Sequence, residues 1–468
     1  MGLGSISTAK QDRAPIQTII PASGTKSDGS LRWSTLVHRE LIDAGEVAGR
    51  RGHIYDGLLF MKLGFITPNL SGHLNPMTTL ARHLQARNHE VVFLFSKEAN
   101  GLPVVPSPEK DHISEGRSGQ STRHGEDAVR SAIRQVLAQT ETILKSLPEM
   151  VRANGVDALL VDNVQFYAEL GPMQLGMPYV QVCNGLHWDY SGYTPLGIYG
   201  WPHDTTAAGL ARNREGVAKW TELFLSVNED IRAHAESVGL EIDWNDMSSI
   251  VSPFASITQT PRIFDFESSH WPSRFHHTGP FHDGKGRRNV DFPWERITGE
   301  PLIYASMGTI LNGRVDVFRT IVGALAKHKD LQLVLSLGDQ IDPQQIGPVP
   351  KNAIIVKQAP QLELLKKTSV CITHAGLNTV LESLAQGVPQ VAIPVTYDQP
   401  GVAARIAHKK TGVVISLDKL SVDHLASALN EVLTDATYRE NARKIQKAIA
   451  GTNGLSLAAD LMEESLGA

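Results

Sequence analysis

Residues 369–400, SVCITHAGLNTVLESLAQGVPQVAIPVTYDQP, read as strand, turn, helix and second strand in direct succession. The first strand ends at Thr373, and His374, Ala375 and Gly376 form the turn. Glycine at 376 permits a tight turn and close approach of a ligand to the backbone. Asn378 and Thr379 then fall in the first helical turn, where N–H groups without helical partners favour an anion. A diphosphate suits that place, and His374 can add a side-chain donor. Glu382 lies one turn further along the face of Asn378. A carboxylate there repels phosphate but accepts hydrogen bonds from two ribose hydroxyls. Asp398 and Gln399 follow the second strand at its carboxyl end, the usual ligand edge of an open α/β sheet. A carboxylate beside an amide suits the hydroxyls of a sugar. Taken singly, His374 is an ordinary loop histidine and Glu382 an ordinary helix charge; the ordered set carries the reading.

Working outward, the same alternation runs through most of the chain. KLGFI (62–66), EVVFLF (90–95), VDALLVD (156–162) and PYVQVC (178–183) read as strands, as do PLIYASMG (301–308), LQLVLSLG (331–338) and NAIIVK (352–357). Several are near-continuous aliphatic runs, as in a parallel sheet covered on both faces. Helices lie between most of them; the first, 75–89, is expected to start with Asn75 as N-cap and Pro76 at its first position. The pattern occurs twice, which predicts an α/β protein of two doubly wound domains. The Gly-, Pro- and charge-rich stretch 279–301 is the natural linker, so the domains are expected at 61–290 and 291–468. Helices are expected at 421–434, 436–450 and 455–466, the last able to return to the first domain. Residues 1–60 are rich in Gly, Ser, Thr and charge; they read as a disordered extension with at most a short helix at 34–50. Met61 looks like a natural start.

Bulk properties exclude several function classes. The 468 residues exceed one ordinary core. With 41% hydrophobic and 20% charged residues the chain is globular, and its net charge of −5 without a basic block argues against nucleic acid. The two cysteines, Cys183 and Cys371, are far apart in apolar runs, which argues for core packing in a reducing, cytoplasmic setting and against a zinc site. No apolar stretch is long enough to span a bilayer.

The stretch 373–400 resembles the nucleotide-sugar signature of the UDP-glycosyltransferases with two Rossmann-like domains facing each other across a cleft (GT-B). APQLELL (359–365) resembles the start of that signature, and YASMGT (304–309) the family's small-residue loop facing the phosphates. The resemblance implies that His374, Asn378 and Thr379 bind diphosphate, Glu382 binds ribose, and Asp398 and Gln399 hold the sugar, glucose above all. Ser306, Gly308, Thr309, Ala359, Gln361 and Gly376 complete the implied donor site. Gln358 stands where the family often has a base-stacking tryptophan, so its flat amide is expected to lie on the base with less stacking.

SGHLNP (71–76) resembles the turn carrying the family's general base. The resemblance implies His73 as base and Asp162 as its orienting partner, with inversion at the anomeric carbon. It implies no cofactor or metal beyond the UDP-glucose donor; no Asp-x-Asp motif is evident. The acceptor is expected against aromatics of the first domain: Phe166, Tyr167, Trp188, Tyr190 and Tyr193. Residues 182–192, 258–283 and 292–313 look like bacterial zeaxanthin glucosyltransferases, which implies a carotenoid acceptor, with flavonoids, sterols or other natural products as alternatives. A carotenoid implies transient contact with a membrane surface by a monomer or dimer. Two other readings fit a donor fold: a nucleotide-sugar epimerase or hydrolase, and a non-catalytic binder of lipophilic molecules.

Overall fold

A computed structural model describes residues 53–55, 58–115, 125–285, 287, 289–308 and 313–467. Two parallel sheets form the frame. The first has seven strands in the spatial order Val104–Val105, Glu90–Leu94, Lys62–Ile66, Ala158–Asp162, Tyr179–Cys183, Ala255–Thr258, Phe275–His277. The second has six: Ala353–Val356, Gln332–Ser336, Leu302–Ser306, Thr368–Thr373, Gln390–Ala392, Gly412–Val414. Of these, Val104–Val105, Ala255–Thr258, Phe275–His277 and Gly412–Val414 escape the hydrophobic pattern. Each is only two to four residues long, too short to show a period.

Both faces of each sheet are buried, as the aliphatic runs require. On the first sheet Leu63, Phe65 and Leu160 enter one core cluster, while Ile66, Leu159 and Val161 enter the other. On the second, Ile303, Ala305 and Leu333 face one way, and Leu302, Tyr304 and Val334 the other. Successive side chains thus alternate between two covering layers.

The last helix, Gly454–Ser465, returns to the first sheet. Its Leu455, Ala458, Ala459 and Met462 join the cluster of Met77, Leu80 and Leu84. Arg87 pairs with Asp460 and Glu463 across the same seam. Gly454 makes the docking possible, since a Cβ there would stand 3.0 Å from the Gly279 backbone.

Two expectations need correction. The helix after the first strand runs Ser71–Gln85, with Leu70 rather than Asn75 at its N-cap and Pro76 inside it. After the connecting residues 67–70 the helix begins without a side-chain cap, and the Leu70 carbonyl accepts from the N–H groups of His73 and Leu74, so the Asn-Pro pair is not its start. In the expected disordered extension, His53–Tyr55 and Leu58–Phe60 pair as antiparallel strands, Tyr55 opposite Leu58. The sequence between them is Asp-Gly, the dipeptide two-residue hairpins favour. The rest of 1–60, with the expected short helix, lies outside the described residues.

Candidate active site

In each sheet the strand order reverses at one place, between Lys62–Ile66 and Ala158–Asp162 in the first and between Leu302–Ser306 and Thr368–Thr373 in the second. Crevices at such switch points, at the carboxyl ends of the strands, are where open α/β sheets bind ligands. His73 and Asp162 belong to the first switch point. Ser306, Gly308 and His374 belong to the second, where Ser306 and Thr373 are register partners.

His73 is the third residue of its helix, and its Nδ1 lies 3.0 Å from Oδ2 of Asp162. That oxygen also accepts from Thr67 Oγ1 at 2.8 Å and Asn184 Nδ2 at 2.8 Å. The Val164 N–H donates to Oδ1 at 3.2 Å. Burial pushes the Asp162 carboxyl upward, but His73 and these donors outweigh it and hold it below its ordinary value. Asp162 is therefore ionised and accepts only, so Nδ1 of His73 carries a proton and Nε2 is left basic. Burial lowers the pKa of His73, and the Asp162 charge more than reverses this, leaving it above 6.5.

On the donor side, the His374 ring lies between two glycines. A Cβ at Gly308 would stand 2.5 Å from its Nε2, and one at Gly376 no farther. Glycine at 376 is thus demanded by this close approach; the left-handed residue of the turn is Ala375, at φ 65°, while Gly376 is extended. Burial holds the His374 pKa down to about 4, so it is a neutral imidazole at physiological pH. Its Nδ1 is buried without a protein partner. The Ser306 hydroxyl accepts from the Gly308 N–H at 3.4 Å. Thr309 lies outside the described residues.

Asn378 and Thr379 occupy the first turn of the helix Leu377–Ala385. Glu382, one turn on, is buried; Gln361 Nε2 donates to it at 2.6 Å, and the Arg287 guanidinium pairs with it. The Tyr304 hydroxyl in turn donates to Gln361 at 3.0 Å. Gln358 is exposed and donates to Asp339 at 3.3 Å, while Ala359 packs on the core beside it. Gln399 turns its carbonyl oxygen back to the N–H groups of Val395 and Thr396.

The two switch points meet. The Leu186 N–H, in the first half, donates to Oδ2 of Asp398 at 2.8 Å. Gln259 Nε2 donates to Asn378 Oδ1 at 2.8 Å, and Asn378 Nδ2 donates to the carbonyl of Gly72. That carbonyl is available because Pro76, four residues on, has no N–H to return to it. The Asp398 charge also acts on His73, which puts these two side chains in one electrostatic environment.

The aromatics behave unevenly. Phe166, Trp188 and Tyr190 pack on one cluster with Trp220 and Phe224; the Trp188 and Trp220 rings stack at 5.6 Å. Trp188 Nε1 is buried without a protein partner. Tyr193 stacks on His270. Tyr167 is core: it is 2% exposed, and its hydroxyl is held by Asn228 at 3.2 Å. The reading of the chain missed Thr67, Asn184, Gln259, Leu186 and Arg287. Thr67 and Asn184 each follow a strand directly, a position visible in the sequence, but which strand ends lie side by side is set by the sheet order. Nothing in the sequence marks Arg287 or the Leu186 backbone.

Residues 296–449 match the family model described as UDP-glucoronosyl and UDP-glucosyl transferase. A zeaxanthin glucosyltransferase of Pantoea ananas is 26% identical over 411 residues, covering 85% of this chain and 94% of that protein. Among solved structures, the glycotransferase of kitacinnamycin superposes with a TM-score of 0.67 at 24% identity, over 87% of this chain and 99% of its own. Glycosyltransferase VinC, solved in complex with dTDP, gives a TM-score of 0.63 at 19% identity, over 87% of this chain and 100% of its own.

Proposed function

We propose that this chain, a glycosyltransferase of the GT-B UDP-glycosyltransferase type, transfers glucose from UDP-glucose to a hydroxyl of a lipophilic acceptor with inversion. The observation that carries this reading is the His73–Asp162 pair at one switch point, opposed to the His374 turn at the other. The acceptor oxygen attacks the anomeric carbon as its proton passes to Nε2 of His73. The bond from that carbon to the diphosphate oxygen breaks, and its electron pair leaves with UDP. Asp162 balances the imidazolium. The N-terminus of the Leu377 helix and the neutral imidazole N–H of His374 stabilise the departing charge, so the reaction needs no metal.

Carotenoid diols are the leading acceptors, supported by the similarity to a zeaxanthin glucosyltransferase and by the aromatic cluster around Phe166 and Trp188. Among the described residues no helix is long and apolar enough to cross a membrane, so such an acceptor is reached by transient surface contact. The test is UDP release from UDP-glucose with pools of carotenoid diols, flavonols and sterols, with and without chelator, beside His73→Ala. Expected is acceptor-dependent, chelator-insensitive release that falls at least about 100-fold in the variant, because positioned bases contribute about 10²–10⁴. UDP binding without release in any pool would favour a binding protein instead. Retention of the donor's anomeric configuration in the product would reject the single-displacement mechanism.

A further inference from the structure

Away from the switch points, two histidines and a carboxylate meet where the halves touch. His203 and Glu267 belong to the first half, and His408 is the last residue of the helix Gln399–His408 in the second. Nε2 of His408 lies 3.0 Å and Nδ1 of His203 3.7 Å from the same oxygen of Glu267. One ligand atom from each residue falls within 4.8 Å of the other two. Tetrahedral Zn²⁺, with bonds of about 2.0–2.2 Å, places its ligand atoms about 3.3–3.6 Å apart, so small side-chain shifts enclose an ion. We infer that His203, Glu267 and His408 form a site for a divalent transition metal of the zinc class, bridging the two halves of the molecule.

Three features support the assignment. The donor set, two imidazoles and a carboxylate, suits Zn²⁺ and discriminates against Mg²⁺, which prefers oxygen ligands alone. Glu267 is largely exposed, which opens an entry path and leaves a fourth position for water. The frame is also rigid. Phe266 stacks on His203 and lies edge-on to His408, and the Arg405 guanidinium sits 4.3 Å over its ring. Lys409 pairs with the other oxygen of Glu267 and so turns the free oxygen toward the histidines, as an outer-shell partner does. The neighbouring triad of His187, Asp265 and His277 is shut away from solvent, its His187 and Asp265 side chains each 1% exposed, so it lacks the entry path that Glu267 provides.

The test uses the full chain stripped with chelator, then titrated with Zn²⁺ by calorimetry and with Co²⁺ by visible absorption, with Mg²⁺ as control. Expected is one equivalent bound through these residues, intense tetrahedral Co²⁺ bands, and a rise in melting temperature with Zn²⁺ but not Mg²⁺. His203→Asn and His408→Asn should each lower Zn²⁺ affinity at least about tenfold and abolish the Co²⁺ bands. Melting without metal shows whether each variant is folded; Glu267→Gln, which keeps shape and loses charge, serves as the third. Unchanged affinity in the folded variants, or no tetrahedral Co²⁺ signal in the parent, overturns the assignment.

Discussion

At the scale of single residues, three donors converge on one oxygen of Asp162, and this convergence governs the charge of His73. A base must be neutral to act. Because the His73 pKa is raised above 6.5, the rate should rise with pH through a value above 6.5. In Asp162→Asn the charge that lifts His73 is gone while burial, which lowers it, remains. The acid limb of kcat/KM should then move to lower pH, and kcat should fall about 10²–10⁴-fold as the imidazole loses its fixed tautomer. An acid limb that stays in place would mean His73 is not the titrating base. Gly308 poses a separate question on the donor side. It sits at φ 73° with the His374 ring in the space of a Cβ, so Gly308→Ala adds about 1–3 kcal/mol of backbone strain and displaces the ring. UDP affinity by calorimetry should weaken about tenfold or more. His374→Phe keeps a flat ring, slightly larger, and removes both the donor and the acceptor nitrogen, so it tests whether the polar atoms of the ring are needed.

At the scale of elements, the hydrophobic pattern revealed long buried strands and missed short ones, because a period needs several residues to be visible. The donor motif was legible because its parts lie within one strand–helix–strand unit, where spacing alone determines which residues share an edge. The surroundings of Asp162 were not, since Thr67 and Asn184 come from separate strands and become neighbours only once the sheet order is known. Helix starts depended on context: Asn75-Pro76 carries the local signal of an N-terminus, yet the helix already begins at Ser71, with the Leu70 carbonyl taking its first hydrogen bonds. The last helix can be tested within itself. Met462 is 1% exposed in the first-half core, whereas Leu457 on the same helix is 37% exposed. Met462→Ala should cost about 2–5 kcal/mol by urea unfolding, and Leu457→Ala within about 0.5 kcal/mol of zero. Equal effects would mean the helix does not dock as described.

At the scale of the whole molecule, the proposed base and the proposed donor site lie on different sheets, so the proposed transfer depends on the contacts that join them. One of the buried contacts centres on Arg405. Its Nε donates to Asp265 at 2.7 Å, and both side chains are 1% exposed. His187 and His277 face the other oxygen of Asp265. Removing one partner of a buried pair leaves an uncompensated charge, so Arg405→Leu should destabilise the chain by about 3–5 kcal/mol at neutral pH. The pH dependence follows from the histidines. Burial and the Arg405 charge help hold the His187 pKa down; without Arg405 the folded-state pKa rises, and a protonated histidine can partner Asp265. Stabilisation from a raised histidine is present at low pH and lost as pH rises through the folded value. The variant's deficit should therefore grow from mildly acidic to mildly alkaline pH in unfolding experiments. The residues assigned to UDP, His374, Asn378, Thr379 and Glu382, all stand on the second half, so UDP affinity should change little while kcat falls. If UDP affinity fell in step with kcat, the donor site would depend on contact with the first half, and the bonds of Asn378 to Gly72 and Gln259 would be the place to look.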